Sequence, residues 1–192
     1  MAERKLDRIY TPQEYFQLEN TEPHTRYEYV DGIIYAMAGG TINHGLLISN
    51  TLYWVRASLK QKGSSCKTFS GDVRVSIPSS NAYLHPDVFV VCGEIDDTDD
   101  PNLAIKNPQL VIEVLSPSTQ NYDQTHKFRL YRTIASLEEY VMIDQERAII
   151  ESFVKTAEDQ WLIRTFTGLD QTFELRSIGV QIRMQDIYQD VM

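Results

Sequence analysis

Two runs constrain the fold most: Leu84-His-Pro-Asp-Val-Phe-Val-Val91 and Leu110-Val-Ile-Glu-Val-Leu-Ser116. Side chains alternate faces along a strand, so Asp87, Phe89 and Val91 share one face and Val111, Glu113 and Leu115 another. Apart from the acids, both faces of both runs are apolar. That pattern marks interior strands covered on both sides. A carboxylate inside such a strand is costly unless something cationic meets it. Two of them on neighbouring strands suggest a shared partner, and a divalent metal is the usual one.

The rest of the chain supplies the surroundings of those strands. Thr11, Pro12 and Glu14 form a helix start with a capping box, predicting a short helix to about Glu19. Arg26-Tyr-Glu-Tyr-Val30, Asp31-Gly32 and Ile33-Ile-Tyr-Ala-Met37 predict a hairpin with a two-residue type I′ turn. From His44, apolar positions at Leu47, Ile48, Thr51, Leu52, Val55 and Leu59 follow helical spacing, with Gly63 placed to end the helix. Strands are predicted at 66–77, 84–92, 109–115 and 139–144, with a helix near 121–134 capped by Ser116-Pro-Ser-Thr119. Two antiparallel strands, 148–155 and 161–166, precede a tail of short strands and a last helical turn near Met184–Tyr188. The expectation is a mixed sheet with helices packed on it.

At 192 residues with 42% hydrophobic content, the chain is long and apolar enough for one domain with a substantial core. Residues 1–10 are polar and read as a flexible lead-in, leaving 11–192 as the domain. Cys66 and Cys92 read as too few and too isolated for a disulfide framework or a cysteine zinc site. With no bilayer-spanning apolar stretch and no signal-peptide pattern, a reducing cytoplasm with no membrane association is the expectation. The net charge of −9 counts against tight nonspecific nucleic-acid binding through a basic surface, without excluding a local basic groove. Part of the acidity lies in Glu94-Ile-Asp-Asp-Thr-Asp-Asp100, which reads as a solvated loop.

A third acid and one cation join the constellation. Glu28 shares a strand face with Val30, an acid on an otherwise apolar surface. On the predicted helix, Lys127 falls on the face of Asp123, Tyr131 and Ile134, which directs it inward. Arg129, Arg132 and His126 fall on other faces. Two or three acids holding Mg²⁺, with an amine beside them, suit metal-assisted phosphodiester hydrolysis. No His/Cys ligand set competes for a softer metal.

Each member also has a plainer reading. Pro86-Asp87 is a common strand-entry turn. Glu113 could form a structural salt bridge with Lys127 or an arginine. Glu28 could be an ordinary cross-strand residue, and Lys127 a solvated helix lysine. His44 reads as a first-turn polar residue or as a substrate contact. Asp72 and Arg74 share a strand face and could pair, and Asp72 could border the site.

The ordered set Thr11-Pro-Gln-Glu-Tyr15, Arg26-Tyr-Glu-Tyr-Val-Asp-Gly32, His44, His85-Pro-Asp-Val88, Val111-Ile-Glu-Val-Leu-Ser-Pro-Ser118 and Asp123-Gln-Thr-His-Lys127 resembles the Uma2 (DUF820) family. That family lies within the PD-(D/E)XK nuclease superfamily, and the likeness spans about residues 10 to 185. The resemblance implies a restriction-endonuclease-like α/β core: a mixed central sheet flanked by helices, with an N-terminal β-hairpin. It implies Mg²⁺, with Mn²⁺ as a substitute, held by Asp87 and Glu113 with Glu28 as an additional ligand. DNA would be the substrate and a homodimer the assembly. The superfamily's E-X-K lysine would fall at position 115, where this chain has Leu115. Lys127 is the natural replacement. The rival expectation is a nuclease-derived nucleic-acid-binding or dimeric interaction protein with weak or no catalysis.

Overall fold

The computed structural model describes residues 3–5, 8–37, 39–97, 104–116, 123–156 and 160–192. Helix α1 (Pro12–Thr21) starts at Thr11 with the predicted capping box, Thr11 Oγ1 accepting from the Glu14 amide and Glu14 accepting from the Thr11 amide. Strands β2 (Tyr27–Val30) and β3 (Ile33–Ala36) form the predicted hairpin. Asp31 and Gly32 both take positive φ, 45° and 89°, as a type I′ turn requires. Helix α2 (Ile42–Gln61) is the longest, with Thr41 capping it through the His44 amide and Gly63 in the left-handed region just past its end.

The expected single central sheet is two. One is six-stranded in the order β1-β3-β2-β6-β5-β8, where β1 is Glu3–Lys5, β5 Arg74–Ile77, β6 Ala82–Leu84 and β8 Ala104–Ile105. The other runs β12-β11-β10-β9-β7-β4, where β4 is Lys67–Ser70, β7 Val88–Val91, β9 Leu110–Leu115, β10 Glu139–Asp144, β11 Ile149–Lys155 and β12 Trp161–Thr167. Both are mixed: β9 and β10 are parallel, as are β5 and β8, and the other pairs are antiparallel. The hairpin is thus part of the first sheet, and the polar start of the chain adds β1 to its edge at β3, where a loose lead-in was expected.

The difference arises where two predicted strands break. The run 66–77 divides into β4 and β5, and the run 84–92 into β6 and β7, with each half in a different sheet. Pro86 has no amide to give to a ladder, and the turn at Ser70–Val73 closes on a Val73 amide bond to Ser70 O. The two crossings touch: His85 Nδ1 lies 2.8 Å from Gly71 O. A Cβ on Gly71 would meet Arg26 Nη1 at 3.3 Å and Pro86 O at 3.4 Å, so the crossing is snug without demanding glycine.

Burial follows the alternation of the central strands. Leu110, Ile112 and Val114 face a core made with α2 and the C-terminal hairpin, β13 (Thr172–Leu175) and β14 (Val180–Arg183), which is followed by a short helix at Met184–Ile187. Val111 and Leu115 face a second core shared with the first sheet through Val75, Ile77 and Leu84. A third, aromatic cluster of Tyr15, Phe16, Tyr27 and Tyr29 holds α1 on the far side of that sheet. Glu28 alternates with Tyr27 and Tyr29, so it points into the gap between the two sheets. No helix among the described residues is long and apolar enough to cross a membrane.

The two cysteines are bonded to each other, contrary to the expectation of isolated thiols. Their separation of 26 residues hides a register effect: β4 pairs β7 with Lys67 opposite Val91, so the next positions outward, Cys66 and Cys92, face each other across the ladder. Cysteine usage therefore gives no support to a reducing compartment. A Cys92→Ser variant, or reduction of the native chain, is expected to cost about 3 kcal/mol of stability from loop-closure entropy. Urea unfolding with and without a phosphine reductant measures it.

Candidate active site

Asp87 and Glu113 reach one place because the chain changes sheets at His85-Pro86-Asp87, beside the central strand β9. The Asp87 amide donates to Glu113 Oε2 at 3.4 Å, and Asp87 Oδ2 accepts from the Val114 amide at 2.7 Å. Asp87 is therefore locked to the strand that carries Glu113.

Lys127 closes the gap between the sheets. It ends a π-helical turn, Asp123–Lys127, that runs into α3 (Phe128–Tyr131). Lys127, Tyr131 and Ile134 are buried, while His126, Arg129 and Arg132 are exposed, as the predicted helical faces require. The Ser116–Thr119 cap lies largely outside the described residues. Lys127 Nζ stands 3.0 Å from Glu28 Oε1 and 3.3 Å from Glu113 Oε1, with its side chain 6% exposed. Three of the four predicted residues thus meet directly, two acids from different sheets on one ammonium, and Asp87 adjoins them through Glu113.

Neighbouring groups fix these acids. The Tyr131 hydroxyl donates to Glu113 Oε1 at 3.2 Å. Burial, and then the Glu113 charge, hold the Tyr131 phenol well above its ordinary value, so it remains a donor. The His85 amide donates to Glu28 Oε1 at 3.1 Å. Sequence reasoning gave neither Tyr131 nor His85 a role, although Tyr131 follows Lys127 by one helical turn and its position was legible. His44, read mainly as a first-turn residue, serves both ends. Its amide donates to the capping Thr41 Oγ1, and its Nε2 lies 3.4 Å from Asp87 Oδ2.

The expected Asp72–Arg74 pair does not form. Asp72 instead pairs with Arg26, and Arg74 with Glu19. The strand break at Ser70–Val73 removes the common face that the pairing assumed. Glu19 also lies 3.4 Å from His85 Nε2. Burial works to raise the Glu19 pKa, but the His85 and Arg74 partners overcome it and hold the group below its ordinary value. This ion cluster ties α1 to the two crossings behind the site.

Asp87 and Glu113 offer the oxygen donors that a hard dication would take. Two buried carboxylates, Glu28 and Glu113, meet one lysine, and a third, Asp87, adjoins Glu113, so acids outnumber the lysine here. Asp87 Oδ1 accepts no hydrogen bond among the described residues, and its side chain is 15% exposed, so an oxygen ligand is presented at the mouth. Glu28 is turned to Lys127 and the His85 amide, and no group of three or more His, Cys, Asp or Glu side chains among the described residues is arranged around a metal position. Magnesium needs only one or two protein carboxylates, keeping water in its other positions.

Three comparisons place the chain among known proteins. The model of the Uma2 family, described as "Putative restriction endonuclease", matches residues 12–185. The uncharacterized protein slr1290 of Synechocystis sp. is 35% identical over 180 residues, covering 93% of this chain and 90% of its own. A second Synechocystis protein, the uncharacterized sll1609, is 34% identical over 167 residues, covering 87% of this chain and 93% of its own. Among solved structures, the crystal structure of a putative nuclease belonging to DUF820 from Anabaena variabilis superposes with a TM-score of 0.74 at 18% identity, covering 95% of this chain and 99% of that one. That likeness is one of fold. From a family match over nearly its whole length, this chain belongs to the Uma2 (DUF820) family.

Proposed function

We propose that the chain is a Mg²⁺-dependent endonuclease that hydrolyses DNA phosphodiester bonds at the Asp87–Glu113–Lys127 site. The observation that carries the reading is the ammonium of Lys127 seated between Glu28 and Glu113, with Asp87, which has a carboxylate oxygen to spare, bonded through its amide to Glu113. In this reading Asp87 and Glu113 hold the metal, and Mn²⁺ substitutes for it. Bound there, the ion supplies Lewis-acid stabilisation of charge on the phosphoryl oxygens.

The chain's own groups do the positioning. Glu28 anchors Lys127 through Oε1, which also takes the His85 amide, and its Oε2 is left as the additional oxygen for the metal. Lys127 sets a positive charge where a phosphoryl oxygen becomes more negative, without reorganisation at the moment of reaction. Tyr131 and the Asp87 amide hold the two oxygens of Glu113 in place. Two such sites in a homodimer would address the two strands of a duplex.

A second reading has one observation in its favour: Lys127 is almost fully covered and held by two acids, as a purely structural brace would be. Cleavage of supercoiled plasmid separates the two. Nicking that requires Mg²⁺ or Mn²⁺, stops with EDTA and falls about 100-fold in Asp87→Asn supports the enzyme. Equal traces from both proteins favour the brace and a binding or interaction role.

A further inference from the structure

At the far end of α2 from His44, a pocket of about 350 Å³ opens between that helix and the edge strand β4. Arg56, Lys60 and Lys67 line it with the hydroxyls of Ser64 and Thr68, and no acidic residue does. This is unusual in a chain with 27 Asp and Glu against 18 Lys and Arg. The cations are also unspent. Neither Arg56 nor Lys60 has an ion pair or side-chain hydrogen bond among the described residues, and Lys67 Nζ has only a 3.5 Å contact to Gly93 O. Of the other arginines, Arg8, Arg26, Arg74, Arg147, Arg164, Arg176 and Arg183 are matched to carboxylates, while the exposed Arg129 and Arg132 are not among the described residues.

Three uncompensated cations repel one another unless an anion joins them. The planar fork of Arg56 suits two oxygens of one phosphate, and the lysines act as point charges beside it. Two elements lead here from the site. Along α2, Arg56 lies about 18 Å from His44 at 1.5 Å per residue. Along β7, Val91, the partner of Lys67, lies about 13 Å from Asp87 at 3.3 Å per residue. Both spans match a few steps of a nucleic-acid strand at about 3.4 Å per base pair.

We propose that this pocket holds the backbone phosphates of the nucleic-acid strand several nucleotides from the bond cut at Asp87 and Glu113, an inference that rests on the nuclease reading. It supplies attraction that the net charge of the chain does not, and it makes the substrate a polymer rather than a mononucleotide.

The test is the salt dependence of binding. A fluorescently labelled 24-base-pair duplex is titrated with the native chain in EDTA, and anisotropy is followed across a sodium chloride series. The triple variant R56A/K60A/K67A is expected to flatten the slope of log K against log salt by about 2.7, for three phosphates at 0.9 each. The charge-conserving R56K/K60R/K67R variant is expected to keep the slope, and circular dichroism checks that each variant is folded. A native chain that does not bind, a triple variant with native slope and affinity, or a conservative variant that loses as much overturns the proposal. So does displacement of the duplex by millimolar inorganic phosphate at constant ionic strength, which would mark a small-anion site. The outcomes separate from the nuclease reading. A native chain that binds with the full slope but cuts nothing overturns only the catalysis. One that cuts, with a triple variant that binds and cuts equally at every salt, overturns only the pocket.

Discussion

Lys127→Met is expected to abolish metal-dependent cleavage and to destabilise the fold in the same stroke. The ammonium is the cation between Glu28 and Glu113, which are 1% and 2% exposed. Methionine fills much of the lysine stem but leaves two buried carboxylates facing each other. Breaking a buried pair by removing one partner costs about 3–5 kcal/mol. For a chain of this size that is a fall in melting temperature of roughly 6–20 °C. Loss of a preorganised positive charge at the reacting phosphate costs a further factor of about 10²–10³ in rate. The double variant Glu28→Gln/Lys127→Met is expected to recover part of the stability and none of the rate, since it removes the repulsion without restoring the cation. Millimolar Mg²⁺ is expected to raise the melting temperature of the single variant, because a ligand that binds only the folded state stabilises it. Melting curves in EDTA and in Mg²⁺, beside plasmid nicking, read all four outcomes. A Lys127→Met chain that melts and cuts like the native one would sink both the brace and the catalytic role.

That one lysine can carry both effects is a consequence of where the strands break, and this part of the fold was the least legible in the sequence. The local devices were readable because each rests on a few adjacent residues: the Thr11 capping box, the Asp31-Gly32 turn, the periodic face of α2 and the alternation around Glu113. The inward direction of Lys127 was readable for the same reason, from its spacing to Tyr131 and Ile134. The two crossings were not. Residues 66–77 and 84–92 each have the composition of one continuous strand. Only the pairing of β4 with β7 and of β5 with β6 reveals that each run serves two sheets. Pro86 marked one of the breaks, but its proximity to Gly71 is a long-range fact.

The same limit hid the Cys66–Cys92 bond and the true partners of Asp72 and Arg74, all of which depend on register between distant segments. It also hid the division of labour among the acids. In the sequence Asp87, Glu113 and Glu28 look alike, each an acid on an apolar strand. Their hydrogen bonds tell them apart. Glu28 is turned to Lys127, Asp87 is anchored through one oxygen only, and Glu113 is held at both.

Glu113→Gln tests that division most sharply. The amide has the volume and shape of the carboxylate, so the packing around it is expected to survive, with unfolding shifted by about 1–3 kcal/mol from the altered hydrogen bonds. Its chemistry is not equivalent. Glu113 accepts at Oε1 from Lys127 and Tyr131 and at Oε2 from the Asp87 amide. Glutamine has one acceptor oxygen and one NH₂ donor, so whichever way it turns, a donor meets a donor. If the NH₂ faces Lys127, the ammonium loses one of its two anionic partners. If it faces Asp87, the link that aligns the two proposed metal ligands is broken. In both orientations one of the two negative charges proposed to hold Mg²⁺ is gone. Losing the several kcal/mol that such an ion contributes to charge stabilisation corresponds to a fall in rate of about 10³–10⁴. Calorimetric titration with Mg²⁺ is expected to give binding heat with the native chain and none with Glu113→Gln. Tyr131→Phe, which removes only a hydrogen bond to the same oxygen, is expected to lower the rate about tenfold and to keep the binding heat. A Glu113→Gln chain that nicks DNA within tenfold of the native rate, or takes up Mg²⁺ with unchanged heat, would remove Glu113 from the metal site and leave it a partner of Lys127 alone.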